Sequence, residues 1–379
     1  MLLDAEQKLI RDTARSFANK RLAVSANDRD KEAKFPFDQF QKLGELGFLG
    51  MLVPSNFGGS DTGFLNYANC IEEIASGDGA ISTVMAVQSL VSEVLNRYGS
   101  ASQKERFLKK IATGELLASF MLTEPHAGSD ASNLRVTAKK VGNQYKLSGT
   151  KQFVTSGANA KLAVVFAVTD KTIKNESISA FIVPTDLPGY TINRIERKMG
   201  QRSSDTAQVT FDDMMITPDL LLGNEGEGYK IALSNLEGGR IGIAAQATGM
   251  AQKAFEIAKK YSKERIAFGK PLSDHQAVSF RLADMATNIN AARLMYQDAA
   301  KLRDDSVYCL KEASMAKLFA SEMAERVCSE ALQTLGGYGY LEDYSIERIY
   351  RDVRVCQIYE GTSDILRLVI GREINKSTD

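Results

Sequence analysis

The spacing of apolar residues predicts that the first third of the chain is helical, because they recur every three or four positions. Asp4 followed three residues later by Gln7 has the pattern of a capping box that opens a helix. We expect a strongly apolar helix from Met85 to Leu95. Another helix is expected to open at Ser102 and to continue through Ile111.

The pattern changes near Phe120. From there to about Leu222 come short runs rich in Val, Ile, Thr and Phe, separated by Gly, Pro, Asn and Asp. Such runs predict strands of a β-barrel or β-sandwich. The clearest are residues 162–168, 178–183 and 209–211.

Helical spacing returns after Gly228 and predicts three long helices, over residues 231–261, 275–302 and 307–335. The last two are expected to face one another in a four-helix bundle. Their expected core residues are Leu282, Met285, Ile289, Met295, Met315, Leu318, Met323 and Val327. The predicted fold is thus mainly α with a β insert: an N-terminal helical domain (1–118), a middle β-barrel or sandwich domain (119–222) and a C-terminal four-helix bundle (223–379).

Composition narrows the function. Among 379 residues, Lys+Arg and Asp+Glu each number 47, which argues against a dedicated binder of nucleic acid or anionic membranes. The four cysteines are scattered without a CxxC motif, and only two histidines occur, so we expect reduced core thiols and no metal site. The sequence contains no run of about 18 apolar residues, so we expect no membrane insertion. We expect a soluble, cytoplasmic protein.

The most informative segment is residues 359–363, Tyr-Glu-Gly-Thr-Ser. It places Glu360 at a glycine-containing turn just before an apolar helical run. Thr362 or Ser363 can cap that helix, so the carboxylate would lie beside its positive end. A carboxylate held in this way can accept a proton from a carbon next to a carbonyl, provided that an electron sink of the flavin type lies opposite.

Other segments have structural interpretations that the residues alone leave open. Residues 123–129 can be a loop between a helical domain and a sheet, and residues 153–155 a half-buried strand. Arg265 can complement a helix C-terminus, and Gln276 can form a capping box with Ser273. Residues 333–337 fit a glycine-capped helix end, and Arg240 can be a solvated charge.

Six motifs in order resemble those of the acyl-CoA dehydrogenases, and the resemblance is closest to the short- and medium-chain members. The segments are 121–130 (MLTEPHAGSD), 149–157 (GTKQFVTSG), 265–272 (RIAFGKPL), 335–340 (LGGYGY), 348–352 (RIYRD) and 358–363 (IYEGTS). Two departures stand out. His126 occupies a position that usually holds a small residue, and Phe153 stands where many members carry Trp.

The resemblance implies FAD as cofactor and an acyl-CoA thioester as substrate. The residues that it implies for FAD are Met121, Leu122, Thr123, Gly128, Ser129, Phe153, Val154, Thr155, Arg265, Phe268, Gln276, Gln333, Leu335, Gly336, Gly337, Thr362 and Ser363. Those implied for the substrate are Ser129, Glu237, Arg240, Tyr359, Glu360 and Gly361.

The resemblance also implies a reaction and partners. Glu360 would remove the α-proton while the β-hydride passes to the flavin, giving the trans-2-enoyl-CoA. Some relatives carry the base just before the matching arginine, where this chain has Gly239. Arg265 and residues 333–337 would reach a neighbour's FAD, which implies a homo-oligomer, most simply a tetramer. Electron-transferring flavoprotein would accept the electrons.

Three rivals follow from the same scaffold. An acyl-CoA oxidase is usually much longer than 379 residues. A non-catalytic, nucleic-acid-binding relative would carry an added basic C-terminal region. A reductase or biosynthetic desaturase, acting on an unusual or carrier-bound acyl group, stays open.

Overall fold

The N-terminal part of the molecule is helical, as predicted. The computed structural model describes residues 3–170 and 177–376. The first helices are α1 (Ala5–Phe17), α2 (Ala26–Glu32), α3 (Phe37–Glu45), α4 (Gly63–Gly77), α5 (Gly79–Tyr98), α6 (Ala101–Gln103) and α7 (Lys109–Ala112). A π-helical segment, Lys104–Leu108, joins α6 to α7.

Two helix starts test the capping predictions in this region. The capping box at Asp4 is confirmed, since the Gln7 N–H donates to Asp4 Oδ1 at 2.8 Å and the Asp4 N–H to Gln7 Oε1 at 3.0 Å. The predicted start at Ser102 is wrong by two residues. Ser100 caps α6 instead, and Gln103 completes its capping box.

The middle of the chain forms one eight-stranded sheet. Its strands are β1 (Ala118–Met121), β2 (Thr137–Val141), β3 (Gln144–Thr155), β4 (Leu162–Val168), β5 (Ile178–Pro184), β6 (Tyr190–Ile195), β7 (Thr206–Ile216) and β8 (Leu221–Leu222). Their order is β6-β7-β3-β2-β4-β5-β8, with β1 parallel to β4. Among the described residues β6 and β8 end this path without pairing to each other, so the sandwich description fits and the barrel does not close.

Helices return after the sheet. They are α8 (Gly228–Ser234), α9 (Leu236–Glu264), α10 (Gln276–Asp304), α11 (Leu310–Leu335), α12 (Ile346–Val353) and α13 (Ser363–Lys376), with the short hairpin β9 (Ile266–Ala267) and β10 (Lys270–Pro271) between α9 and α10. The single helix predicted over 231–261 is therefore wrong. It is interrupted at Asn235, whose side-chain amide donates to the Ile231 carbonyl at 3.3 Å and so competes with the helical backbone.

Helix α9 is central to the helical core and packs against α4, α10 and α11. The predicted core residues Met285, Ile289, Met323 and Val327 are buried, and Leu282, Met295 and Leu318 are partly buried. Met315 was predicted wrongly, since its side chain is 39% exposed. It lies off the inward stripe of α11, to which five alanines belong.

A second core fills the sheet domain and extends onto α5 and α8. Across the described ranges, 3–170 and 177–376, no helix is both long and apolar enough to cross a membrane.

Candidate active site

Glu360 lies in the turn that leads into α13. Its φ is +52° and that of Gly361 is +89°, so two consecutive residues adopt the left-handed region. The Thr362 hydroxyl accepts from the Ile365 N–H at 3.3 Å, which confirms the predicted cap. The Ser363 hydroxyl is buried and has no hydrogen-bond partner among the described atoms. The turn thus presents the carboxylate at the start of a helix.

Two cations act on the Glu360 carboxylate. Burial raises the pKa of Glu360 above its ordinary value, while the positive charges of Arg240 and then Lys317 lower it. Arg240 is only 2% exposed, so its interpretation as a solvated charge is wrong. Its Nη1 donates to Ser314 Oγ at 3.0 Å, whereas its buried Nε has no partner among the described atoms. Glu360 is half-buried, so its carboxylate lies in a partly desolvated, positively charged setting.

Gly239 faces the same carboxylate from α9. A Cβ built there would lie 2.7 Å from Glu360 Oε2. The position where some relatives carry the base is therefore adjacent to Glu360 in space, although 121 residues separate the two in sequence. Only a residue without a side chain leaves room for Glu360 as it is placed here.

The Tyr359 hydroxyl connects the turn to a buried polar network that the sequence did not predict. Its hydroxyl donates to Gln246 Oε1 on α9 and accepts from Gln201 Nε2 at 3.4 Å. Gln201 also accepts from Thr83 of α5 at 2.5 Å, and its N–H bonds the buried Asp352 carboxylate. The residue next to the base is therefore hydrogen-bonded to a network that includes α5, α9, α12 and the loop after β6.

Glu237 belongs to a different cluster. Its carboxylate accepts from Arg303 Nη1 at 2.6 Å, and Arg303 also pairs with Glu93 of α5. A Cβ at Gly238 would lie 2.8 Å from Glu93 Oε2. The structure therefore ties Glu237 to a buried ion-pair cluster next to the Gly238–Gly239 segment.

The predicted flavin segments 121–129 and 153–155 lie side by side. The Thr123 carbonyl accepts from the Gln152 N–H at 2.9 Å, and the Leu122 carbonyl accepts from Lys151 Nζ at 2.9 Å. Lys151 is fully buried and also pairs with Glu124 at 2.9 Å, while burial lowers the pKa of Lys151 to about 8. This buried pair fixes the shape of the loop.

His126 is accommodated within that loop. Its Nε2 lies 3.1 Å from the Asn133 carbonyl oxygen, on the outside of a turn that Glu124 and Ala127 close by backbone hydrogen bonds. The Glu124 carboxylate also accepts from the Arg135 and Val136 N–H groups at 2.7 and 3.1 Å. The loop therefore closes around Glu124 with His126 in place.

The surface beside this loop is suited to a planar ligand. Phe153 has a φ of +55° and a 64% exposed ring, although it lies in β3 as predicted. Gly128 and Ser129 are exposed and Thr155 is half-buried. Met121 and Val154 are buried in the sheet core, so only their backbone atoms can face a ligand. An exposed aromatic ring among hydroxyl and backbone groups fits the isoalloxazine part of FAD.

Most of the remaining predicted cofactor residues surround one surface cavity of about 450 Å³. Its lining includes Arg265, Gln333, Leu335, Gly336 and Gly337. A Cβ added at either glycine would meet no atom within 4 Å, so the backbone there can approach a ligand closely. A guanidinium beside open glycine backbone fits a pyrophosphate.

Phe268 and Gln276 lie outside that lining. Phe268 is at the tip of the β9–β10 hairpin and is 98% exposed, and Gln276 is the exposed first residue of α10. The predicted capping box of Ser273 and Gln276 is wrong, because residues 272–274 form a 3-10 turn and His275 occupies the N-cap without a side-chain bond.

The lining of the cavity includes no residue of the segments 121–129 and 153–155.

Three family models match the chain in sequence: the acyl-CoA dehydrogenase N-terminal domain over residues 4–115, the middle domain over 119–214 and the C-terminal domain over 226–375.

Individual relatives agree with these matches over the whole chain. The mitochondrial short-chain specific acyl-CoA dehydrogenase of Bos taurus is 43% identical over 99% of this chain and 91% of its own. Butyryl-CoA dehydrogenase from Megasphaera elsdenii has a TM-score of 0.97 at 38% identity, with 99% of each chain covered. A chain solved in work on the electron transferring flavoprotein of Acidaminococcus fermentans has a TM-score of 0.98 at 42% identity and full coverage of both chains.

The matches span both helical parts and the sheet, and they include every motif that carried the resemblance. The chain belongs to the acyl-CoA dehydrogenase family of FAD-dependent oxidoreductases that act on CH–CH bonds of acyl-CoA thioesters.

Proposed function

We propose that Glu360 is the base that removes the α-proton of a short-chain acyl-CoA, and that the product is the trans-2-enoyl-CoA. The observation that carries this assignment is the Glu360 carboxylate itself, held in a half-buried turn near Arg240 and Lys317. The short-chain preference is supported by the names of the relatives, a short-chain specific acyl-CoA dehydrogenase and a butyryl-CoA dehydrogenase.

The chemistry of the base follows from its surroundings. A glutamate carboxylate in water has a pKa of ~4.3 and is a poor match to a weakly acidic carbon. Burial raises the pKa of Glu360, which makes the carboxylate a stronger base. The positive charges of Arg240 and Lys317 lower the same pKa and so keep the carboxylate ionised before the substrate binds. When the substrate enters and excludes more water, the pKa of Glu360 rises further.

FAD, when bound, would supply the acceptor for the hydride of the β-carbon, and the α-proton would go to Glu360, so that a C=C bond would form between the two carbons. We assign Leu122, Thr123, Gly128, Ser129, Phe153 and Thr155 to the isoalloxazine part. Thr362 and Ser363 adjoin the base and are assigned to the same cofactor. The Glu360 N–H is proposed to polarise the thioester carbonyl, and Arg240 to orient the substrate with Tyr359 and Gly361.

Glu237 is assigned an indirect role at the substrate site. Its carboxylate is already paired with Arg303 at 2.6 Å, so it shapes the segment before Gly239 rather than offering a free charge.

We further propose a homotetramer in which Arg265, Gln333, Leu335, Gly336 and Gly337 bind the pyrophosphate part of a neighbour's FAD. Phe268 and Gln276 would complete this contact from the β9–β10 hairpin and the start of α10. Exposed apolar groups around the cavity support subunit contact here, among them Phe268 at 98% and Tyr340 at 83% exposure.

The proposed electron acceptor is an electron-transferring flavoprotein. It is supported by the structural relative from work on the electron transferring flavoprotein of Acidaminococcus fermentans. We propose that the enzyme acts in the cytoplasm, and the four free, buried cysteines are consistent with a reducing compartment.

The test of the base is Glu360→Gln, which keeps the size of the side chain but cannot accept the α-proton. The variant should bind FAD and butyryl-CoA normally, yet flavin bleaching in an anaerobic single turnover should slow by at least ~10²–10⁴-fold. Glu322→Gln on α11, an exposed carboxylate paired with Arg367, is the control and should reduce its flavin at the wild-type rate. Bleaching by Glu360→Gln at near the wild-type rate would place the base elsewhere.

A further inference from the structure

Lys317 is a fully buried lysine on the inward stripe of α11, between Ala313 and Ala320. An ammonium group is costly to bury unless it is hydrogen-bonded and electrically compensated. In the sequence it resembles an ordinary solvated residue, because neighbouring turns of α11 also carry charged residues, among them Glu312 and Glu322. Its burial therefore needs an explanation in the surrounding contacts.

The contact that it makes is with the turn of the base. Lys317 Nζ donates to the Gly361 carbonyl at 2.6 Å. That carbonyl belongs to the second of two consecutive residues with positive φ, and the first is Glu360. A left-handed conformation is unfavourable for a non-glycine residue such as Glu360, so the turn needs support from outside itself.

The charged and titratable groups around Glu360 come from three helices. Arg240 faces it from α9, Lys317 from α11 and the Tyr67 phenol from α4. Burial lowers the pKa of Lys317 to about 8, against the opposing influences of Cys356 and Glu360. Ser314, three residues before Lys317 on α11, accepts from Arg240 Nη1 at 3.0 Å. One face of α11 thus contacts both the guanidinium and the turn.

We propose that Lys317 is a positioning residue for the base. Its ammonium holds the Glu360–Gly361 turn through the Gly361 carbonyl and, together with Arg240, keeps the half-buried Glu360 carboxylate ionised. This role rests on Glu360 as the base. Lys317 makes two contributions. Its hydrogen bond fixes the geometry of the turn, and its charge sets the pH at which the base is active.

Three variants separate these contributions. Lys317→Met removes both, Lys317→Gln keeps a donor without the charge, and Lys317→Arg keeps both. The measurement is the rate of flavin reduction by butyryl-CoA in anaerobic single turnovers across pH, at equal FAD content. Without the positive charge Glu360 ionises at higher pH. The acid limb of the pH–rate profile should therefore move to higher pH by about one pH unit in the Lys317→Met and Lys317→Gln variants. On that limb, one unit corresponds to about tenfold slower reduction.

The plateau above the limb reports on geometry. It should fall several-fold in Lys317→Met and less in Lys317→Gln, while Lys317→Arg should keep the wild-type limb. If the Met variant fails to fold, the Gln variant carries the test.

Lys198→Met is the matched control, because Lys198 Nζ also donates to a backbone carbonyl, that of Ser204, at 2.6 Å. It should leave the limb in place. An unchanged limb in both Lys317→Gln and Lys317→Met would overturn the proposal. Glu360→Gln, measured alongside, shows independently whether Glu360 is the base.

Discussion

Gly239 and Glu360 face one another between α9 and the turn before α13, and this single contact decides where a base can lie. A Cβ at Gly239 would lie 2.7 Å from Glu360 Oε2 and 3.1 Å from its carboxyl carbon. Two full side chains cannot share that space. A carboxylate on α9 and a carboxylate at position 360 are therefore alternatives.

A transfer of the base tests this exclusion. Gly239→Glu alone should be nearly inactive in flavin reduction, because the new side chain displaces Glu360. Glu360→Gly alone should lack a base, although glycine suits the φ of +52° at that position. The double variant should recover part of the lost rate in anaerobic single turnovers. Glu360→Gln with Gly239→Glu should recover less, because glutamine still occupies the shared space. Equal recovery in both double variants would contradict the steric argument.

At the residue level the motif predicted the turn and its Thr362 cap, and the resemblance supplied the role of Glu360. The sequence did not predict that Lys317 and Gln246 contact this turn. Both are polar residues on inward helical faces, and the spacing of apolar positions gives no sign that such residues find buried partners. The buried Arg240 was open to misinterpretation for the same reason.

Asp78, the N-cap of α5, both caps the helix and forms a buried ion pair. It caps α5 by accepting from the Ala80 and Ile81 N–H groups at 2.9 and 3.3 Å. Its other oxygen accepts two hydrogen bonds from Arg29 of α2, and both side chains are nearly inaccessible. The start of α5 is thus fixed by a buried ion pair as well as by a cap.

Asp78→Ala should therefore destabilise the protein far more than loss of an ordinary cap. Removing one partner of a buried pair typically costs ~3–5 kcal/mol, whereas Asp4→Ala, at the exposed cap of α1, should cost about 1 kcal/mol. Asp78→Asn keeps an acceptor for the cap and should fall between them. The comparison uses denaturant unfolding of the holoenzymes at one protein concentration. Equal losses for Asp78→Ala and Asp4→Ala would show that the buried pair adds nothing.

At the level of elements, local signals worked where the backbone was regular. The Asp4–Gln7 box and the strand over residues 162–168 agree with the structure. The Ser273–Gln276 box failed because a 3-10 turn after Pro271 takes the place of the expected N-cap. The break at Asn235 was missed because apolar residues continue in helical spacing on both sides of it.

For the whole molecule, the order of helix, sheet and helix was predictable because the period of apolar residues changes near Phe120 and Gly228. The domain boundaries at 118/119 and 222/223 stay predictions. Met315 shows a limit of periodicity, since an apolar side chain can face outward. Tyr338, Tyr340 and Leu341 are also partly or largely exposed beside the cavity. Exposed apolar groups around a cofactor cavity are expected where a second subunit covers them.

Arg265→Ala tests whether cofactor binding depends on assembly. Arg265 directly follows α9 as its C-cap, lines the cavity, and has its guanidinium carbon 5.9 Å from the centre of the Tyr338 ring. Loss of a charge that pairs with pyrophosphate should weaken FAD binding, so the purified variant should be colourless or lose its FAD on gel filtration. Its far-ultraviolet circular dichroism should stay that of the wild type, because no described hydrogen bond or ion pair depends on the Arg265 side chain. Lys263→Ala, which removes an exposed charge two residues earlier on α9, should retain FAD.

Dilution of the wild-type enzyme separates a shared site from a site within one chain. If each FAD contacts two subunits, its release should follow dissociation of the assembly, and the concentrations at which light scattering and flavin fluorescence change should coincide. Added FAD should in turn favour the larger species, since a ligand that bridges two subunits stabilises their association by mass action. A monomer that keeps FAD bound under these conditions would show that one chain suffices, and that the cavity at Arg265 serves another purpose.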